Sequence, residues 1–543
     1  MQNSHSTPTR LGRQTRLTLA LALGLGVSGA MATTPTPDLP DYLGKVTQLT
    51  RAVLSGAVEH PVPLALAAPS VHVTQTMAAN TWQVTSCGDS GPGTLRDIVA
   101  NWAQSGDTVD LSGLDCNIDL QSSIVTSAGD LTLKGNPETK YSIRGGNTVE
   151  PLVHLGAGTL TLDGLGVSFG RFEIAGSTAA SVANGGCIYS TGNVKLTNQA
   201  SVKYCTAENT GSGMAQGGGI FANGTVTLDK SSVSSSKAIA ASGNALGGGI
   251  FANGQVRMQG GLVSGNEAWS KTFAASAGGI HAGGGLSTKY AMVSNNTARA
   301  SGTASFATSS GGGAAIRNGA SSMIKYSTFD NNQADSGAAM VIGSGGVSPT
   351  SGNTTIIHST IANNASLATT TNSGGALTLM QKTTIHNSTI SGNTEQNAAD
   401  QKYGAGIMIR DGVDLTLKST IVSGNALVKS TGSTTADDIF GSGSGTPTVA
   451  GDHNLIGMNW NADVPADTIA SGEPKLGPLQ DNGGYTLTMA VLPGSPAIDA
   501  GSGTFSTDQR GTGFLRSVGA APDIGAFEMA GDRIFANDFE TTP

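Results

Sequence analysis

Charged side chains are scarce in this sequence: they make up 12% of its 543 residues, about half the share found in ordinary globular domains. The charge that is present is mostly acidic, which gives a formal net charge of −8 at pH 7. Such a chain lacks the excess of basic residues that attracts phosphate backbones or anionic membrane surfaces. The composition therefore predicts no nucleic-acid partner.

Long hydrophobic runs are also lacking, apart from one near the N-terminus. Three arginines precede an apolar run over residues 17–27, which is too short to span a membrane. Ala30 and Ala32 then flank a single position, as small residues do where a secretory signal is cleaved. Loss of residues 1–32 would remove three arginines and no acid, which changes the net charge from −8 to −11. We expect an exported protein, extracellular or on the outer cell surface, with no integral membrane segment.

Cysteine is rare, and export favours its use in disulfides. The four cysteines allow three pairings, and nearness in sequence favours Cys87–Cys116 and Cys187–Cys205. Metal binding is the alternative, but the cysteines lack the short Cys-x-x-Cys spacing and have no accompanying histidine. The sequence predicts two structural disulfides and no metal site.

Glycine, by contrast, is abundant, with 78 residues, and it marks a repeat. Residues 217–224 and 247–254 have the same sequence, GGGIFANG, and looser copies begin at Gly185, Gly278, Gly311, Gly374 and Gly404. Each copy leads into a short alternating stretch, and a third stretch ends in asparagine. The terminal asparagines, 29 to 36 residues apart, are Asn266, Asn296, Asn332, Asn364, Asn393 and Asn425.

This repeat of about 32 residues predicts an all-β fold, a right-handed parallel β-helix of about ten coils. Three short strands and three turns describe one triangular coil, and stacked coils bring equivalent strands together about 4.8 Å apart. We further expect a short N-terminal capping helix and a C-terminal cap domain rich in strands and loops. The sequence lacks the helix-length periodicity of an α-solenoid and the Leu-x-x-Leu-x-Leu pattern of a leucine-rich repeat.

The six repeated asparagines are predicted to form a structural ladder at one corner of the coils. Asparagine tolerates the left-handed backbone region that a corner requires. Its stacked side-chain amides can also donate hydrogen bonds from one coil to the next.

The repeats resemble those of chlamydial polymorphic outer-membrane proteins, in which a Gly-Gly-Ala-Ile motif alternates with Phe-x-x-Asn. Residues 329–332 (FDNN) match the second motif literally, whereas the other copies have Val or Ile in place of Phe. The coil architecture resembles the pectin-lyase-like superfamily. The resemblance covers some 240 residues and implies a fold and an exported location, but no particular activity.

At the N-terminal end, residues 90–98 resemble the cap motif of many exported bacterial β-helix proteins. Leu95, Ile98, Val99 and Trp102 recur at helical spacing, and we expect this helix to cover the first coil.

At the C-terminal end, five motifs closely resemble the choice-of-anchor Q domain of surface-displayed β-helix proteins. These motifs begin at His453, Leu479, Leu492, Asp508 and Pro522. The predicted domains are a signal peptide (1–32), a linker (33–80), the β-helix with its cap (81–435), a choice-of-anchor Q-like domain (436–528) and a tail (529–543).

Three functions fit these features. The first is an adhesin-like or glycan-binding interaction protein, expected to be a monomer, with a polysaccharide or cell-surface ligand. The second is a polysaccharide lyase or hydrolase, and the third is a structural spacer. No cofactor is expected, except calcium in the case of a lyase.

A uronate lyase needs a basic side chain to abstract a proton, and usually calcium held by carboxylates. Arg410 is the best candidate base, with Arg317 as a second cation and Asp411 as the only nearby carboxylate. Solvated surface arginines are the alternative. Hydrolysis would require two facing carboxylates, and the sequence shows no such pair in neighbouring coils.

Four successive units carry a ring directly after the first strand isoleucine: Tyr189, Phe221, Phe251 and His281. If the isoleucines face the core, alternation along the strand places these rings outward in one column. Such a column could bind the sugar rings of a polymer. Alternatively, neighbouring segments cover the rings and the column is part of the packing.

Overall fold

The computed structural model describes residues 79–529, except for residues 140, 177, 179, 303–307, 318, 346–351, 369–373, 398–399 and 444. The predicted signal (1–32), nearly all of the linker (33–80) and almost all of the tail (529–543) lie outside the described residues. Within the described part, no helix is long and apolar enough to cross a membrane.

The described residues form a right-handed parallel β-helix of about eleven turns, which confirms the predicted fold class. Three long sheets run along it, and we number them in the order in which the chain visits them within one coil. Sheet I comprises Ile124–Thr126, Leu152–His154, Ile188–Ser190, Ile220–Ala222, Ile250–Ala252, Ile280–Ala282, Ala314–Arg317, Met340–Ser344, Leu377–Leu379, Ile407–Ile409, Ile439–Gly441 and Asn459–Trp460. Sheet II comprises Thr81–Gln83, Thr108–Asp110, Leu131–Lys134, Thr159–Asp163, Asn193–Thr197, Val226–Asp229, Val256–Gln259, Leu286–Lys289, Ser322–Lys325, Thr354–Ile357, Thr383–His386, Leu415–Lys418 and Val449–Asp452. Sheet III comprises Ile118–Asp119, Ser142–Arg144, Gly166–Ser168, Ser201–Lys203, Ser232–Ser234, Leu262–Ser264, Met292–Ser294, Thr328–Asp330, Thr360–Ala362, Thr389–Ser391, Ile421–Val422, Leu455–Ile456 and Ile469–Ala470.

Two further sheets were not predicted, because the expected coil had only three strands. Sheet IV comprises Arg171–Ile174, Thr206–Asn209, Lys237–Ala240, Glu267–Ser270, Thr297–Ala300, Gln333–Ala334, Ala365–Ala368, Thr394–Asn397, Ala426–Val428 and the antiparallel Thr434–Ala436. Sheet V comprises Val182–Asn184, Met214–Gln216, Ala245–Leu246, Ala275–Ser276 and Ser309–Ser310. Coils that visit all five sheets therefore carry a two-layered projection, which we call the fin.

The strand sequences explain two separate cores. In sheets I to III, Ile, Val and Leu alternate with polar residues and point inward, where they form the main core; Ile188, Ile220, Ile250 and Ile280 are fully buried in it. Between the two layers of the fin the buried residues are almost all alanine, including Ala207, Ala238 and Ala268. Because a methyl group fills so little space, the two sheets of the fin pack close together.

The N-terminal cap is the helix α1, Leu95–Asn101. Its N-cap, Thr94, accepts a hydrogen bond from the backbone N–H of Asp97 and so satisfies an otherwise free donor of the first turn. Leu95, Ile98 and Val99 are buried against the main core, whereas Trp102 is 54% exposed. The predicted cap helix is present, but its last expected anchor, Trp102, lies largely in solvent.

Both predicted disulfides are confirmed: Cys87 is bonded to Cys116 and Cys187 to Cys205. The second pair is fully buried within the main core. This disulfide joins the start of the coil that begins with Ile188 to the corner between sheets III and IV in the same coil.

The six asparagines form a continuous ladder at the corner between sheets III and IV. Each Nδ2 donates to the Oδ1 of the asparagine in the next coil at 2.8–3.0 Å. The series ends at Asp438, whose carboxylate accepts from Asn425 at 2.8 Å, and burial raises the pKa of Asp438 to about 6. The expected left-handed backbone belongs to the residue before each ladder asparagine, for example Asn295 at φ 58° and Asn331 at φ 53°.

The coils extend past residue 435, where the sequence repeat fades, as far as the strand Ile469–Ala470. Residues 471–529, which we call the strap, then run back over the outer face of sheet III. The strap contains the antiparallel hairpin Leu476–Gln480 and Thr488–Val491. Thr328 donates to the Leu487 carbonyl at 2.7 Å, and Thr360 donates to Gln509 Oε1 at 2.6 Å.

Buried ion pairs hold the strap together. Arg510 binds Asp508 at 2.6 Å, and Arg516, which is 1% exposed, lies 3.7 Å from Glu528. Burial raises the pKa of Glu528 to about 7, although hydrogen bonds from the backbone N–H groups of Asp523 and Val518 oppose the rise. Because these groups are buried, they stabilise the strap rather than form an accessible site.

Candidate functional site

The structure does not bring the lyase candidates together. Arg317 and Arg410 occupy equivalent positions at the end of sheet I, but the strand register places three coil steps between them. At about 4.8 Å per step they are roughly 14 Å apart. Asp411 is exposed next to Arg410 and packs near Gly443 in the following coil. One base with one adjacent carboxylate lacks the several carboxylates that hold calcium in a lyase.

A facing pair of carboxylates, which the sequence reasoning missed, does exist. Glu173 and Glu208 are in register in adjacent strands of sheet IV. Arg171 donates to Glu173 at 2.7 Å and to Glu208 at 2.6 Å. The guanidinium therefore binds both carboxylates and leaves neither available as the free acid or nucleophile that hydrolysis needs.

The described residues contain one close group of potential metal ligands, formed by Cys87, Asp115 and Cys116. The two sulfur atoms of that group are bonded to each other in a disulfide. They are therefore not thiolates, which are the form of cysteine that binds metals.

The four rings after the sheet I isoleucines form the predicted column. Tyr189, Phe221, Phe251 and His281 stack in register with centroid separations of 5.4, 5.4 and 4.5 Å and nearly parallel planes. However, Phe221 and Phe251 are only 5% exposed. Burial, followed by the nearby positive charge of Arg317, lowers the pKa of His281 to about 4.

The burial of Phe221 and Phe251 favours the alternative, in which the column is part of the packing. A ring stacked at one-coil spacing uses both faces on its neighbours in the column, so only its edge could meet a ligand. The glycine turn before the strand lies close to the base of the side chain: a Cβ on Gly247 would be 3.1 Å from the Cβ of Phe251. Phe221 and Phe251 are therefore packing residues, whereas Tyr189 and His281 at the two ends of the column are partly exposed.

A different surface carries partly exposed aromatic and charged side chains, namely the outer face of sheet IV, which we call the fin face. Its outward charged and aromatic residues include Arg171, Glu173, Glu208, Lys237, Glu267, Trp269 and Arg299. Alternation along each strand sends the alanines inward to the fin core and these side chains outward.

Ion pairs order the side chains of the fin face. Glu267 binds Lys237 at 3.0 Å and also pairs with Arg299. Partial burial would raise the pKa of Glu267, but its hydrogen bonds to Arg299 and Lys237 hold it below the usual value. The carboxylate therefore remains charged and fixes both cations in place.

Trp269 is the half-buried aromatic centre of this surface. The guanidinium of Arg299 lies 3.9 Å from the centroid of its ring, and the Lys271 ammonium lies 5.3 Å away. Its indole N–H donates to Ser301 Oγ at 2.9 Å. A tryptophan held between cations in this way presents a rigid apolar edge with hydrogen-bond donors around it.

Beside the fin face, the corner between sheets III and IV carries a second aromatic feature. Phe169 and Tyr204, from adjacent coils, stack with centroids 5.1 Å apart and planes 17° apart. They are 36% and 48% exposed, and the Lys203 ammonium lies 6.0 Å from the Tyr204 ring. We call these two rings the corner pair.

Sequence reasoning missed both aromatic features. Trp269 follows the ladder residue Asn266, in a strand that lies outside the three strands of the predicted coil. Phe169 and Tyr204 precede the most regular repeats. Aligning Tyr204 with the later residues that precede each ladder asparagine would have revealed a ring where small residues are usual.

Comparisons with known proteins give few matches. No family model matches this chain, and neither does any curated protein. Among solved structures, the chain is similar to pectate lyase Pel9A, with 13% sequence identity, a TM-score of 0.37, and coverage of 83% of this chain and 96% of that one. A likeness at this level does not bear on activity.

Proposed function

We propose that this protein is an exported or surface-displayed β-helix protein that binds polysaccharide through its fin face, as an adhesin-like or glycan-binding protein. The observation that carries the proposal is the partly exposed Trp269, which has the Arg299 and Lys271 cations over its ring, on an ordered, in-register sheet. The edge of the indole ring provides an apolar contact, and the charged side chains around it provide hydrogen bonds to hydroxyl groups.

The order of this surface favours binding. Side chains that must be immobilised on binding each cost about 0.5–1.5 kcal/mol. On the fin face, Glu267 already holds Lys237 and Arg299 through ion pairs, and Arg299 already lies against Trp269. Less side-chain freedom is therefore lost when a ligand binds.

The compartment fits the proposal. The two disulfides are compatible with an extracellular location, where such bonds persist. The N-terminal motif of residues 1–32 is typical of a secretory signal. Polysaccharides of cell walls and capsules are accessible to a protein in that location.

The experiment is a binding and activity screen of the mature protein against cellulose, xylan, chitin and polygalacturonate. We expect retention on at least one polymer, and neither unsaturated nor new reducing ends, with or without calcium. Trp269→Ala should weaken that binding about tenfold, because it removes the aromatic contact. Trp102→Ala, in the cap and 54% exposed, is the matched control and should bind normally.

Other results would favour the other functions. Unsaturated product that disappears in Arg410→Ala would establish a lyase and overturn the proposal. Failure of the wild-type protein to bind any of the four polymers would leave the structural spacer as the better account.

A further inference from the structure

The two rings of the corner pair have a backbone conformation that is unusual for their residue type. Phe169 has φ 53° and Tyr204 has φ 59°, in the left-handed region. For bulky side chains this region is strained, and such strain is retained where the surrounding structure or a function requires it. Later coils place small or amide residues at this point of the corner: Ser235, Gly265, Asn295, Asn331, Asn363, Gly392 and Gly424.

Three left-handed aromatic residues at another corner have an evident packing role. Tyr290, Tyr326 and His358 line the corner between sheets II and III with φ values of 46–56°. The strap covers them: Tyr485 lies 4.5 Å from Tyr290, and Phe505 lies 4.8 Å from His358. In this column, Tyr290 and His358 therefore meet rings of another segment, and Tyr326 is packed between them.

The corner pair has no such cover among the described residues, as the 48% exposure of Tyr204 indicates. Because it stacks on Phe169 across one coil step, the normal of its ring lies roughly along the helix axis. One face of Tyr204 contacts Phe169. The opposite face is directed toward the next coil, where Ser235 is too small to fill the space.

We propose that the corner pair is a binding site for one pyranose ring of a polysaccharide, stacked on the free face of Tyr204. This inference rests on the proposed function and deepens it by naming a second contact. Tyr204 precedes Thr206 at the edge of the fin face, and Lys203 provides a hydrogen-bond donor beside the ring.

The position of the corner pair suits a polymer that continues to Trp269. Trp269 is two coil steps from Tyr204, about 10 Å along the helix axis, and four residues, about 13 Å, along the strand direction. The two aromatic contacts are therefore about 16 Å apart, by combining those two distances. A single sugar cannot span this distance, so the site selects oligosaccharides and polymers.

The test uses Tyr204→Asn in the full mature protein. Asparagine suits a left-handed corner and is found there in later coils, so we expect a melting temperature no lower than that of the wild type. Binding to the polymer retained by the wild type should weaken about tenfold through loss of the ring contact. Tyr204→Phe retains the ring and should retain the binding.

Tyr326→Asn is the matched control, because Tyr326 also has a left-handed backbone (φ 50°) but is packed between Tyr290 and His358. It should lower the melting temperature and leave polymer binding unchanged. If the Tyr204→Asn variant binds as tightly as the wild type, the corner site is wrong. Weaker binding by the Trp269→Ala variant would still support the proposed function in that case. Wild-type protein that binds none of the four polymers would overturn both.

Discussion

Replacement of Asn332 by alanine tests how much the hydrogen bonds of the asparagine ladder contribute to the stability of the β-helix. Asn332 is fully buried. Its Oδ1 accepts from the backbone N–H and the Nδ2 of Asn296, both at 3.0 Å, and its Nδ2 donates to the Val293 carbonyl and to Asn364 Oδ1, both at 2.9 Å.

The cost of Asn332→Ala follows from the groups that lose their partners. The Asn296 backbone N–H would lose the acceptor seen in the structure, and a buried unsatisfied donor costs about 1–3 kcal/mol. Asn296 Nδ2 and Asn364 Oδ1 each keep another hydrogen bond, so their losses are nearer the net value of about 1 kcal/mol. We therefore expect the free energy of unfolding to fall by about 3–5 kcal/mol.

The assay is urea unfolding followed by tryptophan fluorescence, with the midpoint and slope compared between variants. Asn223→Ala is the control, since Asn223 is exposed and its Oδ1 accepts a hydrogen bond from Asn253 Nδ2 at 3.0 Å. We expect that control to change stability by about 0.5 kcal/mol or less. If the two variants differ by less than about 1 kcal/mol, the ladder does not contribute as we argue.

Two further predictions concern packing and pH. The double change Phe221→Ala with Phe251→Ala should lower the thermal melting temperature and leave polysaccharide retention intact, because both rings are buried packing; intact stability with lost binding would contradict this. Burial, helped by the positive charge of Arg516 and by His386, lowers the pKa of His358 to about 3, so the folded protein favours the neutral ring. The contribution of the neutral His358 ring to the free energy of unfolding is fully present above pH 6.5 and is lost as the pH falls toward 3. In urea titrations between pH 6.5 and pH 5, the wild type should therefore lose about 2 kcal/mol more than His358→Asn, and equal losses would refute the assignment.

The main coil could be predicted because its residues are chemically distinct. Ile220 and Ile250 begin equivalent strands, and glycines precede both of them. Because an asparagine also ends each unit, the length of the repeat and the number of strands in the main coil could both be predicted. Sheets IV and V could not be found in this way. Their inward residues, such as Ala238 and Ala268, are small and weak in strand propensity, and their pattern resembles that of a loop.

The sequence of a single strand was not enough to predict the candidate sites, because they depend on how several strands pack together. The register of Tyr189, Phe221, Phe251 and His281 could be predicted from alternation, and it is as expected. Their burial could not, since it depends on how the preceding glycine corners fold against them. The fin face combines residues from strands about 30 residues apart, and its existence depends on sheets that the sequence did not reveal.

The strap has a consequence for how the repeat number of this protein can change. Its anchor points are specific to particular coils: Leu487 meets Thr328, Gln509 meets Thr360, and Arg516 meets Asn387. Duplication or deletion of one repeat within this region would shift every later anchor by one coil step, about 4.8 Å, and separate these partners. A repeat gained or lost before Tyr290 would leave all of them in place. The number of repeats before Tyr290 can therefore vary during evolution, whereas the number of repeats after it is fixed by the contacts with the strap.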